Sequence, residues 1–291
     1  MKLLAKFTLV FLVVFGLGLY LASRASYQFL QRNAEDQVLQ QARLMMENML
    51  SARTYTTKQI KPLLVPVQSQ NRTFLPQTVP AYAATESFNY MRPAYPDYAY
   101  KEATLNPTNL RDRAVDWETD VINVFRNDSK KKEVINKRDT PTGPSLFLAR
   151  PIIAGAPCLE CHDQPKGAPP AMIRAYGTAN GFGWKNGETI GAQIVSVPMA
   201  VPILMADAGY RNLMVSLGSI FLATLFLLDI LLYFTVVRPV VKLSKMADQV
   251  SMGNFDAPEL PASGSDEIAL LGGSFNRMRR SLEKAINMLG S

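Results

Sequence analysis

Two long runs of apolar residues set the plan of the chain. The run at residues 7–22, "FTLVFLVVFGLGLYLA", contains no charge, and the run at residues 213–237 contains only Asp229. A membrane-spanning helix takes roughly 17–25 mostly apolar residues, so the second run is long enough and the first lies near the lower limit. The first could also be the core of a cleaved signal, but "LASRAS" forms a poor cleavage site. The pattern predicts spanning helices at residues 1–24 and 211–237, the first an uncleaved anchor.

Positive charges predict how the spans are oriented. Lys2 and Lys6 precede the first run, and Arg238 and Lys242 follow the second. Lys and Arg tend to remain on the cytoplasmic side of a membrane. Both termini are therefore predicted on the cytoplasmic side of the inner membrane, and the middle of the chain in the periplasm. Much of the net charge of +7 lies beside the spans, which indicates a membrane protein with no nucleic-acid partner. Asp229 is expected to hydrogen-bond to the other helix, because a charge inside a span is costly.

The segment between the spans combines helix and strand patterns. Residues 25–62 predict a long amphipathic helix that ends at Pro62, with an apolar seam typical of a helix packed along another helix. The seam consists of Val38, Ala42, Met45, Met49, Ala52 and Thr56. Residues 63–210 predict a helix near 113–127 and several strands. The strand-like runs lie at residues 131–139, 145–153 and 188–199. An α+β fold is therefore predicted for this domain.

Residues 238–291 contain two short amphipathic patterns joined by a connector rich in Pro, Gly and Ser. Apolar residues recur at heptad spacing in both patterns, with Pro239 at the start of the first and "DEI" at residues 266–268 opening the second. Directly after a spanning helix, this arrangement resembles a HAMP domain. The resemblance implies a cytoplasmic parallel four-helix bundle made by two copies of the chain, hence a homodimer, and a relay to a separate cytoplasmic signalling protein. A plain coiled-coil stalk is the alternative.

The only two cysteines and the only histidine of the chain stand within five positions, in "APCLECHD". A structural zinc site needs four ligands, and the sequence has no further Cys or His to complete one. A thioredoxin-like pair would lie between a strand and a helix, whereas this segment predicts a loop. The spacing C-x-x-C-H is that of c-type haem attachment, in which Cys158 and Cys161 add to the vinyl groups and His162 binds the iron. One covalent haem c is therefore predicted.

The segment between the spans also resembles a family of membrane-anchored bacterial sensors with a c-type haem in a PAS-like periplasmic domain. The resemblance covers roughly residues 45–198. It rests on "ARTYTTKQIKPLL", "YPDYAYKEATLNPTNLRDRAVDWE", "ARPIIAGAPCLECHD" and "MIRAYGTANGFGWKNGETIGAQIV". It implies a single covalent haem in a PAS-like fold between the two transmembrane helices, with a redox-sensing or gas-sensing role.

Other residues are candidates to complete the haem site. Arg111, Arg113 and Arg150 are candidates to pair with the haem propionates, because guanidinium groups bind carboxylates in a bidentate way; an ordinary surface role is the alternative. With the single histidine used, the sixth iron ligand must be another donor, water or nothing. Met46, which lies just off the apolar seam, or Met49, which lies in it, is the candidate for this distal position; a place in the seam is the alternative for Met49.

These patterns predict a homodimeric, two-span sensor that passes a redox or gas signal through the HAMP domain. The sequence shows no paired catalytic carboxylates, no nucleophile with a base and no kinase motif, so no enzymatic activity is expected. The main alternative is a membrane-anchored monohaem cytochrome for electron transfer, which would need no relay. A sensor for a small organic ligand, with a purely structural haem, is a second alternative.

Overall fold

The computed structural model describes residues 3–255, 258–260 and 264–289, which form two compact units. One unit is Gln28–Gly209, and the other combines Met1–Tyr27 with Tyr210–Ser291. The outer ends of the predicted first span and of the predicted HAMP segment, residues 1–2 and 290–291, lie outside the described residues. Nearly all of the predicted haem domain belongs to the unit Gln28–Gly209.

The unit Gln28–Gly209 is built on a four-stranded antiparallel sheet. Its strands are β1 (Ala99–Thr104), β2 (Val134–Thr140), β3 (Gly143–Ile153) and β4 (Thr189–Pro198). They lie in the order β1-β4-β3-β2, and each neighbouring pair is antiparallel. β2 and β3 form a hairpin, and Gly143 beside its turn has a φ of 113°, a value that glycine adopts without strain. The predicted mixture of helices with an antiparallel sheet is confirmed.

Seven helices contribute to this unit. They are α1 (Leu3–Tyr55), α2 (Lys61–Asn71), α3 (Pro80–Met91), α4 (Asp116–Asn127), α5 (Ala156–His162), α6 (Pro170–Tyr176) and the start of α7 (Ala200–Leu232). The predicted helix near residues 113–127 is α4, with Val121 and Phe125 buried as expected. Val124, which the pattern places on the same face, is 38% exposed, and Ile122 is buried in its stead. The sequence pattern thus finds the helix and misplaces one edge of its buried face.

The apolar seam of α1 packs against the sheet rather than along another helix as the sequence predicts. Val38, Ala42, Met46 and Met49 are buried in one core with residues of α3, β1, β3 and β4. The partners in this core are Phe88, Tyr100, Leu146, Leu148, Val195, Val197 and Met199. The reason is that heptad spacing marks one buried face of a helix and does not specify which surface covers it.

The long helix also continues past Pro62, where the sequence predicts its end. A π-helical turn, Thr56–Ile60, joins α1 to α2, and α2 runs on to Asn71. A second π-helical turn, Tyr233–Val237, joins α7 to α8 (Arg238–Ser251). Each turn ends two residues before a proline, which lacks an N–H and crowds the carbonyl four residues earlier. The wider π turn lets each helix pass its proline.

The other unit contains the two apolar helices. The helical stretches Leu3–Asn71 and Ala200–Ser251 each include a segment long and apolar enough to cross a membrane. Thr8 donates a hydrogen bond to a carboxylate oxygen of Asp229 at 2.9 Å, so the predicted interhelical hydrogen bond of Asp229 is confirmed. The hydroxyl oxygens of Ser23 and Tyr210 lie 2.7 Å apart and join the same two helices again.

The C-terminal part of this unit is a pair of amphipathic helices, α8 and α9 (Glu267–Leu289). Met246, Val250, Leu260 and Phe275 form their shared core. The connector is tied to α9 because the side chain of Asn276 exchanges two hydrogen bonds with the backbone of Leu260, at 2.9 and 3.1 Å. The two helices correspond to the pattern predicted after the second span.

Candidate haem-attachment site

The two cysteines and the histidine lie on the short helix α5, whereas the sequence predicts a loop there. Gly155, just before the helix, is extended, and a proline stands in the first turn, where its fixed φ and missing N–H favour a helix start. Cys158 and Cys161 are three residues apart and therefore lie on the same side of the helix. Both thiols are free and partly exposed, and His162 ends the helix beside them.

The ring of His162 is held in one orientation by the loop after α6. Its Nδ1 lies 2.7 Å from the carbonyl oxygen of Gly181. A carbonyl only accepts, so Nδ1 carries the proton, and the unprotonated Nε2 keeps its lone pair for a metal. The indole of Trp184 stacks on the imidazole at 4.0 Å with 17° between the planes. This is the arrangement that a histidine ligand requires.

The loop that carries Gly181 is itself fixed on two sides. The N–H of Trp184 donates to the carbonyl of His162 at 3.2 Å. The side chain of Asn106 accepts from the N–H of Gly181 at 3.0 Å and donates to the carbonyl of Phe182 at 3.2 Å. Gly181 has a φ of +83°, and a Cβ there would overlap Thr108. Only glycine fits this position without strain.

Burial favours the neutral forms of His162 and Cys161. It lowers the pKa of His162, and the hydrogen bond to Gly181 acts in the opposite direction with a smaller effect. Burial likewise raises the pKa of the Cys161 thiol, against the nearby charge of Lys61. A neutral imidazole is the form that binds iron, and two free thiols at C-x-x-C spacing are the groups that thioether attachment needs. The residues therefore fit haem c.

A buried ionic cluster lies beside α5, and sequence reasoning did not find it. Arg53, near the end of α1, donates to Glu102 on β1, and the Tyr100 hydroxyl donates to the other oxygen of Glu102 at 2.7 Å. Glu102 is 4% exposed. The segments "ARTYTTKQIKPLL" and "YAYKEATLN" contain these residues. A buried ion pair between a distant helix and strand has no local sequence signal, however.

The three arginines predicted to hold propionates have protein partners in this structure. Arg111 is paired with Glu86 at 2.6 Å. Arg150 is paired with Glu47 at 2.6 Å and with Glu133 at 3.3 Å. Arg113 donates to Asn180 at 3.0 Å, next to Gly181. Of the three, Arg113 is therefore the one that these contacts bring to the loop holding His162.

The structure places Met46 and Met49 in the core between α1 and the sheet. Met46 is 0% exposed and Met49 is 6% exposed, and both belong to the cluster that contains Phe88 and Val195. A thioether enclosed by packed side chains has no room beside it for a porphyrin. Their positions therefore favour the packing role over the distal-ligand role.

Comparisons with known proteins identify two families along the chain. Residues 31–198 match the family model described as Tll0287-like, and residues 231–284 match the model of the HAMP domain. No curated protein matches the chain. A solved structure, the crystal structure of the cyanobacterial heme-protein Tll0287, matches with 14% identity and a TM-score of 0.42, covering 55% of this chain and 94% of that chain. The resemblance inferred from the sequence is confirmed: the chain belongs to the Tll0287-like family and carries a HAMP domain after its second apolar helix.

Proposed function

We propose that this protein is a membrane-bound haem c sensor that relays a redox or gas signal through its HAMP domain to a separate cytoplasmic protein. The observation that carries the proposal is the hydrogen bond between His162 Nδ1 and the Gly181 carbonyl. It leaves Nε2 unprotonated on the residue that follows Cys161, at the end of the helix that carries both cysteines. The family takes its name from a cyanobacterial haem protein, and the HAMP match supports signalling.

Three residues of α5 have defined roles in this proposal. Cys158 and Cys161 form the two thioether bonds, each by adding its S and H across one vinyl group, with no atom left over. His162 supplies Nε2 to the iron, while Gly181 and Trp184 keep the ring from turning. When bound, the haem supplies an iron whose oxidation state or sixth ligand can change.

The test is an optical spectrum of the full-length protein, made together with the periplasmic haem-attachment machinery. The wild type should show a covalent haem spectrum in the ferric, ferrous and carbon monoxide-treated states. His162→Ala should shift the Soret band, and Asp163→Asn, an exposed neighbour that keeps the histidine, should not. Cys158→Ser with Cys161→Ser should give a colourless protein. An unchanged Soret band in His162→Ala, or a wild type without covalent haem, would contradict the proposal.

The proposal also requires α5 to lie in the periplasm, where haem c attachment takes place. Tyr90 in the haem domain is 85% exposed and Met252 in the HAMP segment is 78% exposed. With both native thiols bound to haem, a cysteine at either position is the only reactive one. A membrane-impermeant maleimide should label Tyr90→Cys in intact cells and Met252→Cys only after lysis. The reverse pattern would place the haem domain in the cytoplasm and contradict the proposal.

The exposed apolar surface of the HAMP helices supports a dimer. Leu271 is 49% exposed, Met278 is 51% exposed and Leu282 is 43% exposed along one side of α9. A groove of about 510 Å³ between α8 and α9 is lined in part by Val240, Leu243 and Leu271. One helix pair cannot cover these surfaces. We propose that a second copy of the chain covers them in a parallel four-helix bundle.

A further inference from the structure

Glu102 is the most enclosed carboxylate of the haem domain that has a cationic partner on α1. Its side chain is 5% exposed, that of Arg53 is 26% exposed, and Tyr100 provides a second hydrogen bond to it at 2.7 Å. A buried charge is tolerated when it is paired and its remaining lone pairs are hydrogen-bonded. The cluster therefore holds a guanidinium charge at a fixed place near the end of α1.

A second cation on the same helical path contacts α5. Burial opposes the charge on Arg53, yet its ion pair with Glu102 raises the pKa of its guanidinium, so the charge is kept. Eight residues further along the same helical path, Lys61 Nζ lies 3.9 Å from the carboxylate of Glu160, which stands between the two cysteines. Lys61 thus brings a positive charge to α5, and Arg53 holds a second one about 12 Å before it along the same helical path.

We propose that Arg53, held in place by Glu102, and Lys61 raise the reduction potential of the haem attached to Cys158 and Cys161. The inference rests on the haem c function proposed above. The ferric haem carries one more positive charge than the ferrous haem, so neighbouring cations favour the ferrous form. The effect is larger where the dielectric constant is low, and Arg53 therefore contributes more than Lys61, whose side chain is 40% exposed.

The same residues would link the haem to α1. Arg53 and Lys61 both belong to the helical stretch Leu3–Asn71, which includes a candidate membrane span. The oxidation state of the iron changes how favourably these two charges sit near the haem. Because linkage is reciprocal, a movement of the helical segment relative to α5 changes the reduction potential by the same coupling free energy. A sensor could use this coupling as its first step.

The test is an equilibrium redox titration of the full-length, haem-loaded protein, followed optically. Arg53→Gln should lower the reduction potential, because Glu102 is left as an uncompensated negative charge. Glu102→Gln should raise it, because the positive charge of Arg53 is left uncompensated. The double variant should lie between the two, and Arg53→Lys, which keeps the charge, should remain closer to the wild type than Arg53→Gln.

Glu35 and Lys137 provide the matched control. They also form an ion pair between α1 and the sheet, but Glu35 lies 18 residues before Arg53, or about 27 Å along a helix axis. Glu35→Gln and Lys137→Gln should leave the potential unchanged. A merely structural role for the Arg53 pair would lower the unfolding temperature in its variants without moving the potential in opposite directions.

Lys61→Gln keeps the inference testable if the Arg53 variants fail to load haem. This is a change at the surface, and it should lower the potential by a smaller amount that grows as salt is removed. Unchanged potentials in Lys61→Gln at low salt and in every Arg53 and Glu102 variant that loads haem would overturn the inference, while the haem proposal would stand. A wild type without covalent haem would instead remove the proposed function itself.

Discussion

The orientation of one imidazole depends on a single backbone carbonyl, that of Gly181. Gly181→Ala forces an L residue into a φ of +83° and places a Cβ 2.9 Å from the Cα of Thr108. Left-handed strain costs about 1–2 kcal/mol, and relief of the overlap moves the carbonyl away from His162. We expect lower stability of the haem domain and a perturbed haem spectrum, measured by thermal unfolding and by the Soret band.

Gly183→Ala is the matched control for this prediction. Gly183 lies in the same loop with a φ of +80°, but a Cβ there meets nothing within 4 Å. It should therefore cost only the backbone strain and leave the haem spectrum unchanged. Equal effects of the two substitutions on the spectrum would mean that the Gly181 carbonyl does not position the ring.

The raised pKa of Asp112 should make the stability of the haem domain depend on pH. Burial raises its pKa to about 6, with Arg111 and Lys101 acting against the shift and Glu102 and Glu86 adding to it. The unfolded value is about 3.9, so the folded state holds the proton more tightly. The contribution of Asp112 to stability is most favourable below pH 4 and is lost as the pH rises to about 6, by about 3 kcal/mol. Asp112→Asn should remove this part of the pH slope.

Thermal unfolding at several pH values measures this effect through tryptophan fluorescence. The chain has two tryptophans, Trp117 and Trp184, and both lie in the haem domain. Asp112→Asn should unfold at a higher temperature than the wild type at pH 8 and at a similar temperature at pH 4. Asp97→Asn, at an exposed position, should follow the wild type throughout. An identical slope in Asp112→Asn and the wild type would show that Asp112 is not the responsible group.

The sequence identifies residues of this site when their spacing is local and misses them when it is not. Cys158, Cys161 and His162 form a five-residue pattern whose chemistry is specific. Asn106, by contrast, reaches Gly181 across 75 positions of sequence. No periodicity relates such residues, because the fold alone brings them together. The Gly-rich segment "NGFGWKNG" indicates an unusual loop without showing that its backbone contacts His162.

At the scale of elements, α1 is a structural part of the haem domain. Its seam contributes Met46, which is fully buried in the core with the sheet. Met46→Ala removes most of this side chain and leaves a cavity, so we expect a loss of about 2–5 kcal/mol in unfolding free energy. Denaturant unfolding followed by tryptophan fluorescence measures it. The haem spectrum should stay unchanged, because the residue packs and does not bind iron.

Leu44→Ala is the control on the same helix. Leu44 is 73% exposed, so its truncation should change the unfolding free energy by less than about 0.5 kcal/mol. Loss of a low-spin haem spectrum in Met46→Ala, with little change in stability, would instead assign Met46 as the distal ligand.

The sequence predicts element boundaries where the apolar pattern is strong. It predicts them wrongly where the backbone conformation around a proline or glycine determines whether a helix starts or continues. α4, the β2–β3 hairpin and β4 follow from periodicity and turn residues. The helix through Pro62 does not, because a π turn absorbs the proline. α5 contains Gly and Pro just at its start, so its composition indicates a loop, although Pro157 in the first turn is compatible with a helix.

At the scale of the whole molecule, both helices that contain the candidate spans also contribute residues to the haem domain. α1 includes residues of both compact units, and so does α7. The order of segments along the chain could be predicted because the spans and the HAMP pattern are local signals. The packing of α1 against the sheet could not, because it depends on strands more than 40 residues away. In the proposed sensor, both helices would therefore connect the haem domain to the candidate spans.

A crosslink between two copies of α9 distinguishes a sensor from an electron carrier. Leu282 is exposed in the single chain and faces the partner in a parallel bundle, whereas Lys284 is turned by about 200° around the helix. With Cys158 and Cys161 bound to haem, a bismaleimide should join Leu282→Cys and not Lys284→Cys.

The same crosslink tests whether the HAMP bundle responds to the iron. If it does, the crosslinking yield of Leu282→Cys should differ between ferric and ferrous protein, because the oxidation state can shift the bundle only if it favours one arrangement over the other. An equal yield in both states, together with rapid electron exchange with a soluble donor, would favour the membrane-anchored cytochrome; no crosslink at 282 would remove the parallel dimer on which the relay depends.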